Sequence, residues 1–186
     1  SALTVEGPVS IEYGALMYCT KLKDISFGGA VEADNAAFQY VGSELGEGIY
    51  VSPIVFPAGS SLAANEGSDP MFKGSKVREV TFSGDITVPE NCFKGNETLK
   101  SLTFSGKANF GIDSVVDCTE LDSIEFKSAN PGTFAIKSFG VYDKNSETTT
   151  NTDVKITVPM GVLTSYKSAA NNVTDENENN LKFFNH

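Results

Sequence analysis

Imidazole chemistry and most protein zinc sites need histidine, and this chain has one, His186, its last residue. A catalytic triad or a histidine-based zinc site therefore has nothing to build on. Three cysteines, Cys19, Cys92 and Cys118, form no C-x-x-C pair and have no histidine beside them. The spacing offers neither a metal cluster nor a base to activate a thiol. Three thiols cannot all pair within one chain, which excludes a disulfide-stapled scaffold, and they read as reduced, buried side chains. The glycine-rich stretch Gly42-Ser43-Glu44-Leu45-Gly46-Glu47-Gly48 lacks the Lys-Ser/Thr ending of a phosphate loop and carries two acids, so it reads as an inserted surface loop. Asp175-Glu176-Asn177-Glu178-Asn179-Asn180 begins like a calcium loop. Asn180 stands where the turn glycine belongs and no closing glutamate follows, so this is a solvated acidic loop. Nothing selects two carboxylates as a glycosidase pair. The expectation is no enzyme, no metal and no cofactor.

The composition points the same way. The chain has 186 residues, 40% of them hydrophobic, which suits one globular domain. Lys+Arg 14 against Asp+Glu 24 gives a net charge of −10, which argues against nucleic acid and against anionic membrane surfaces. No apolar run is long enough to form a transmembrane segment. Ser1-Ala2-Leu3-Thr4 has neither the basic start nor the apolar core of a signal peptide.

What positions any functional residue here is a repeat. Phe82, Phe104 and Phe126 recur every 22 residues. Aligned on them, Val77-x-x-Val80-x-Phe82, Leu99-x-x-Leu102-x-Phe104 and Leu121-x-x-Ile124-x-Phe126 share one frame, which also fits Leu22-x-x-Ile25-x-Phe27 and Val51-x-x-Ile54-x-Phe56. A degenerate sixth copy has Asp153, Ile156 and Val158. Seventeen of these 18 positions are apolar, where a 40% apolar chain would give about seven by chance. Phe38, Phe93 and Val115 stand eleven residues after the frame, and Cys19, Asn96 and Cys118 share a later position. Gly29, Gly84 and Gly106 also share one position, where glycine serves positive φ or the close approach of neighbouring coils. Ile86 and Val88, like Ala108 and Phe110, predict a second short extended segment on another wall of the coil.

Positions 4 and 6 of the frame alternate, so they face one side of a strand. One coil cannot bury that side, but coils stacked at the strand spacing of about 4.8 Å can. The spacing predicts a single β-rich solenoid of about six 22-residue coils with a parallel strand ladder. Strands are expected at 22–27, 51–56, 77–82, 99–104, 121–126 and 154–158. The organisation expected is an N-terminal edge at 1–8, repeats at 9–159 and a C-terminal cap at 160–186, with Tyr166 over the open end. Insertions at 39–50, 57–71 and 140–152 read as surface loops.

The stretch Val88-Pro89-Glu90-Asn91-Cys92-Phe93-Lys94-Gly95-Asn96-Glu97-Thr98-Leu99-Lys100-Ser101-Leu102 resembles the coil of the BspA-like, Treponema-type leucine-rich repeat family. Val158-Pro159-Met160-Gly161-Val162-Leu163-Thr164-Ser165-Tyr166-Lys167 resembles that family's last strand and cap. The resemblance implies a right-handed leucine-rich-repeat superhelix from an exported or surface protein of host-associated bacteria, some of whose relatives are adhesins. It carries over no catalytic residue. Asn96-Glu97-Thr98 and Asn172-Val173-Thr174 match the N-glycosylation triplet, a coincidence in such a protein.

The expected function is a non-enzymatic, extracytoplasmic binding module, secreted or at the cell surface, acting in adhesion or protein–protein interaction. The alternative is a glycan-binding component of a bacterial surface uptake system. The ligand would be a protein or a glycan, with a host among its possible sources, and the chain a monomer. Frame position 5 points away from the core and names an exposed concave column: Ser26, Val55, Thr81, Thr103, Glu125 and Thr157. The exposed aromatics are Tyr40, Tyr50 and Tyr142, all in insertions, and large anchors carry most binding energy. The candidate site has Tyr50 and Tyr142 as edges and Thr81, Thr103 and Glu125 as floor.

Overall fold

The computed structural model describes residues 1–63, 69–135, 137–143, 148–150 and 154–171. Asp153, the acidic stretch 175–180, the triplet at 172–174 and His186 lie outside the described residues. The elements in chain order begin with β1 (Ala2–Val5), β2 (Val9–Ile11), β3 (Asp24–Phe27), β4 (Val31–Ala33), β5 (Ile54–Phe56) and β6 (Ser61–Leu62). They continue with β7 (Glu79–Phe82), β8 (Ile86–Val88), β9 (Ser101–Phe104), β10 (Ala108–Phe110) and β11 (Val115–Val116). The last are β12 (Ser123–Phe126), β13 (Phe139–Asp143), β14 (Thr148–Thr150), β15 (Lys155–Thr157) and the helix α1 (Leu163–Asn171).

The chain is a parallel-strand β-solenoid. β5, β7, β9, β12 and β15 form one five-stranded parallel sheet in which equivalent frame positions lie side by side. Ile54, Val80, Leu102, Ile124 and Ile156 make one inward column, and Phe56, Phe82, Phe104 and Phe126 the next. The phenylalanine rings stack at 5.1, 5.3 and 5.4 Å, close to the strand spacing that forces them together. β3, β7, β9 and β12 start two residues after the frame does, and β5 three, after Pro53. Leu22, Val51, Val77, Leu99 and Leu121 are buried in the turn leading into the strand, so the first frame position belongs to the core but not to the strand.

About five coils share the continuous ladder, one fewer than the expected six. The break falls between β3 and β5, and Pro53 accounts for it. Proline has no N–H to donate. The neighbouring Ser52 side chain instead accepts from the Ile25 N–H at 3.3 Å. Ahead of the break, β3 pairs in parallel with β1, so residues 1–8 hold a strand of their own with Leu3 beside Ile25 and Val5 beside Phe27.

The second wall is present as two parallel sheets, β2–β4–β6 and β8–β10. The glycine position between the walls is a close-approach position, not a positive-φ one. A Cβ on Gly106 would lie 2.3 Å from the Asp85 nitrogen, and one on Gly29 would lie 2.4 Å from the Pro8 nitrogen. Turns carrying left-handed residues make the remaining side, and Phe38, Phe72 and Phe93 stack beneath them at 4.9 and 4.6 Å. At the C-terminal end α1 follows Gly161 and closes the core. Tyr166 is fully buried, its ring 5.0 Å from Phe126, and its hydroxyl donates to the Ser128 carbonyl at 2.8 Å.

All three cysteines are free thiols. Cys92 and Cys118 are buried, but Cys19 is only half-buried. It lies in the first coil, where Leu3, Val5, Val9 and Leu16 are also only partly covered.

Candidate functional site

The outward column of the five-stranded sheet is set by register. Val55 lies beside Thr81, Thr81 beside Thr103, Thr103 beside Glu125, and Glu125 beside Thr157. Thr81, Thr103 and Glu125 are thus brought together as neighbours, each half-buried, at rungs about 4.8 Å apart. Val55, 45% exposed, adds an apolar spot at one end. Glu125 pairs with Lys127, just past the end of β12, at 3.4 Å, and Lys100 with Asp122 of the next coil at 2.8 Å. Exposed pairs of this kind add little to stability. The column offers hydroxyl donors and acceptors, one carboxylate and little apolar area, and Glu79 adds a second carboxylate at its flank. It suits a partner that lies flat and makes many polar contacts.

Tyr50 and Tyr142 differ in placement. Tyr50 stands just before the coil that carries Val55, at most about 18 Å from it along the chain. The Arg78 guanidinium sits 4.4 Å over its ring, which ties the 39–50 insertion to the following coil. Tyr142 lies in β13. That strand pairs with β11 in parallel and with β14 as a hairpin, and Tyr142 is opposite Thr149. Its backbone therefore belongs to a separate three-stranded sheet, and the structure does not bring it to the Thr81–Glu125 column.

The turn side holds a constellation that the repeat frame did not single out. Tyr18 and Tyr40 stack with parallel rings, centroids 4.8 Å apart and planes 4° apart. Both backbones are left-handed, at φ 59 and 56, and so are Gly74, Gly95 and Asp117 at the same place in later coils. Glycine is at home there, whereas a bulky residue is uncommon. The Tyr40 N–H donates to the Lys73 carbonyl at 2.8 Å, which ties one turn to the next. The signal was legible as a 22-residue spacing between two tyrosines, but it lay outside the apolar frame. Beyond Tyr40 a groove of about 390 Å³ runs over Gly74 and Gly95. A second groove, of about 460 Å³, lies where β6 and β8 fail to pair.

Burial governs the thiols and the capping tyrosine. It raises the Cys92 thiol well above its ordinary value and pushes Cys118 up to about 12. Both therefore stay protonated and unreactive at neutral pH. The Cys118 sulfur donates instead to the Phe93 carbonyl at 3.1 Å. Asn96, the first residue of a glycosylation triplet, is 1% exposed and spends its amide inside the fold. Among the described residues no three His, Cys, Asp or Glu side chains gather as metal ligands. No helix of the described residues is long and apolar enough to cross a membrane.

No family profile, no curated protein and no solved structure matches this chain.

Proposed function

We propose that this chain is a non-enzymatic binding module that presents the outer face of its five-stranded sheet to a protein partner. The observation that carries this reading is the continuous outward column Val55, Thr81, Thr103, Glu125 and Thr157, held in register by parallel pairing. A flat, polar, rigid strip complements another protein surface better than it encloses a small substrate. Tyr50, fixed by Arg78, is the large side chain placed to anchor one edge. The module acts as a monomer outside the cytoplasm, in adhesion at a cell surface or after secretion. Support for that location is the resemblance of Val88–Leu102 and Val158–Lys167 to BspA-like repeats and their cap.

A second reading, a glycan-binding component of a surface uptake system, is favoured by the Tyr18–Tyr40 stack, since exposed aromatic rings are platforms for sugars. One experiment separates the two. The labelled chain is applied in parallel to a glycan array and to a panel of extracellular host proteins. Saturable binding to a protein, with no glycan bound, supports the strand-face reading. Glycan binding without any protein bound replaces it with the second.

A further inference from the structure

We propose that the open N-terminal end of the solenoid is a second interaction surface, one that takes a coil-like segment of a partner protein whose strand adds in parallel to β1. The two ends of the solenoid differ. At the C-terminal end α1 closes the core, with Tyr166 against Phe126. At the N-terminal end β1 and β2 are edge strands, paired only with β3 and β4. Backbone groups along a strand alternate in direction. The Val5 carbonyl accepts from Gly28, so Leu3 and Val5 face β3, and Ala2 and Thr4 hold their N–H and C=O outward without a partner. Val9 and Ile11 serve β4 in the same way, which leaves Ser10 outward in β2.

The turn side of the first coil adds a row of acceptors. The N–H groups of Gly14, Leu16 and Tyr18 donate to the carbonyls of Asn35, Ala37 and Gln39 in the next coil, at 3.2, 3.2 and 3.0 Å. A trans peptide points its C=O opposite to its N–H. The carbonyls of Tyr13, Ala15 and Met17 therefore point out of the open end, and among the described residues none of them accepts a hydrogen bond. Cys19 says the same from its side chain. The residues at its position in later coils reach back one coil, Asn96 to the Phe72 carbonyl and Cys118 to the Phe93 carbonyl. Cys19 has no such coil to reach, and it is half-buried where Cys118 is buried. Leu3, Val5, Val9 and Leu16 are likewise packed on the core yet only partly covered.

An edge of this kind is a template for strand addition. Its chemistry names the occupant. The β1 edge offers donors and acceptors in turn, the turn side offers acceptors alone, and the layer between is apolar. Each interior coil meets that same set with a parallel strand, apolar at alternate residues, and a row of turn N–H groups. A partner segment built this way covers all three parts at once. A second copy of this chain is a poor match, because its own open end repeats the acceptors and α1 closes its other end.

The test is a titration of the folded chain with a synthetic peptide of its own residues 77–98 carrying Cys92→Ser, which brings Val80 and Phe82 on the strand and Phe93 in the turn. Binding is read by hydrogen exchange at the Ala2, Thr4 and Ser10 amides and by the alkylation rate of Cys19. The surface predicts saturation below about 1 mM, with those amides and Cys19 slowed about tenfold or more. Thr4→Pro removes one outward N–H and none of the bonds to β3, and proline is tolerated on an edge strand, so the peptide should bind about tenfold more weakly to a folded chain. Ser10→Pro makes the same test on β2 if Thr4→Pro does not fold. No saturation by about 1 mM, equal binding of a shuffled peptide, or unchanged binding in the folded proline variant overturns the surface. Self-association of the chain in sedimentation, abolished by the proline, would make a second copy the occupant and overturn the partner assigned here. Thr81→Lys with Thr103→Lys leaves this binding intact, so its failure and that of the strand-face reading are distinguishable.

Discussion

The side-chain amide of Asn96 donates to the carbonyl oxygen of Phe72, 3.3 Å away in the preceding coil, and to the Ser75 hydroxyl at 3.1 Å. Its oxygen accepts from the backbone N–H groups of Thr98 and Leu99. One buried side chain therefore satisfies the turn of two coils. Ser75 and Cys118 hold related posts, the first donating to Phe72 and the second to Phe93. Asn96→Ala leaves several buried polar groups without partners and should lower stability by about 2 kcal/mol. Asn96→Ser, which keeps one donor, should lose less. Urea denaturation followed by circular dichroism measures both, and equal losses would show that the amide network is not what matters.

The phenylalanine ladder is the second test of the packing. Phe82 is 1% exposed and stacks between Phe56 and Phe104 at 5.1 and 5.3 Å. Phe82→Ala removes a ring with neighbours on both sides and should cost about 3–5 kcal/mol. Phe82→Leu should cost far less. Matched urea midpoints for the two variants would contradict the stacked core.

The glycines separate contact from conformation. Gly106→Ala drives a methyl to within 2.4 Å of the Gly84 carbonyl carbon and 2.3 Å of the Asp85 nitrogen. Neither is a flexible side chain, so the coil spacing itself must give, at roughly 2–3 kcal/mol. Gly7→Ala meets nothing within 4 Å and should change stability by less than about 0.5 kcal/mol. Thermal melts of the pair decide it, and similar melting temperatures would mean the coils do not approach as described.

How much of this was written in the chain depends on what each residue answers to. The frame from Leu22 to Phe126 was legible because burial demands an apolar residue at fixed spacing. The first coil escaped because its frame is only Leu3 and Val5, and the leading position would fall before Ser1. The break after β3 is a local matter of one missing N–H at Pro53, which periodicity does not weigh. The column Thr81, Thr103, Glu125 followed from strand alternation alone. Tyr142 did not, because an insertion can rejoin any wall, and here residues 139–143 join β11. The Tyr18–Tyr40 stack stayed hidden because left-handed turn positions in this chain take Tyr, Ala, Asn, Asp, Lys and Gly alike.

Thiol and phenol ionisation give a pH signature. Burial raises Cys118 from 9.0 to about 12 and Tyr166 from 10.0 to about 12. Below pH 9 both states hold these protons and the stabilisation is fully present. As pH climbs toward 12 the unfolded chain releases protons that the folded chain keeps, so stability falls across that window. Chemical denaturation at pH 8 and above should show this loss, and Tyr166→Phe should flatten part of it. At pH 8 a thiol reagent should modify Cys19 quickly and reach Cys92 and Cys118 only after unfolding. Three fast thiols in the native chain would contradict the burial of the latter two.

The central claim is that the outer face of the five-stranded sheet binds a protein partner, and surface variants that keep the fold test it most directly. Thr81→Lys with Thr103→Lys places two long cations on adjacent rungs of that face, where both positions are half-buried but open outward. The measurement is binding of immobilised wild-type and double-variant chains to an extracellular protein captured by the wild type, with circular dichroism confirming equal melting. The account predicts at least a tenfold loss of affinity, about 1.4 kcal/mol, in the double variant. Equal affinity in two equally folded chains would contradict it.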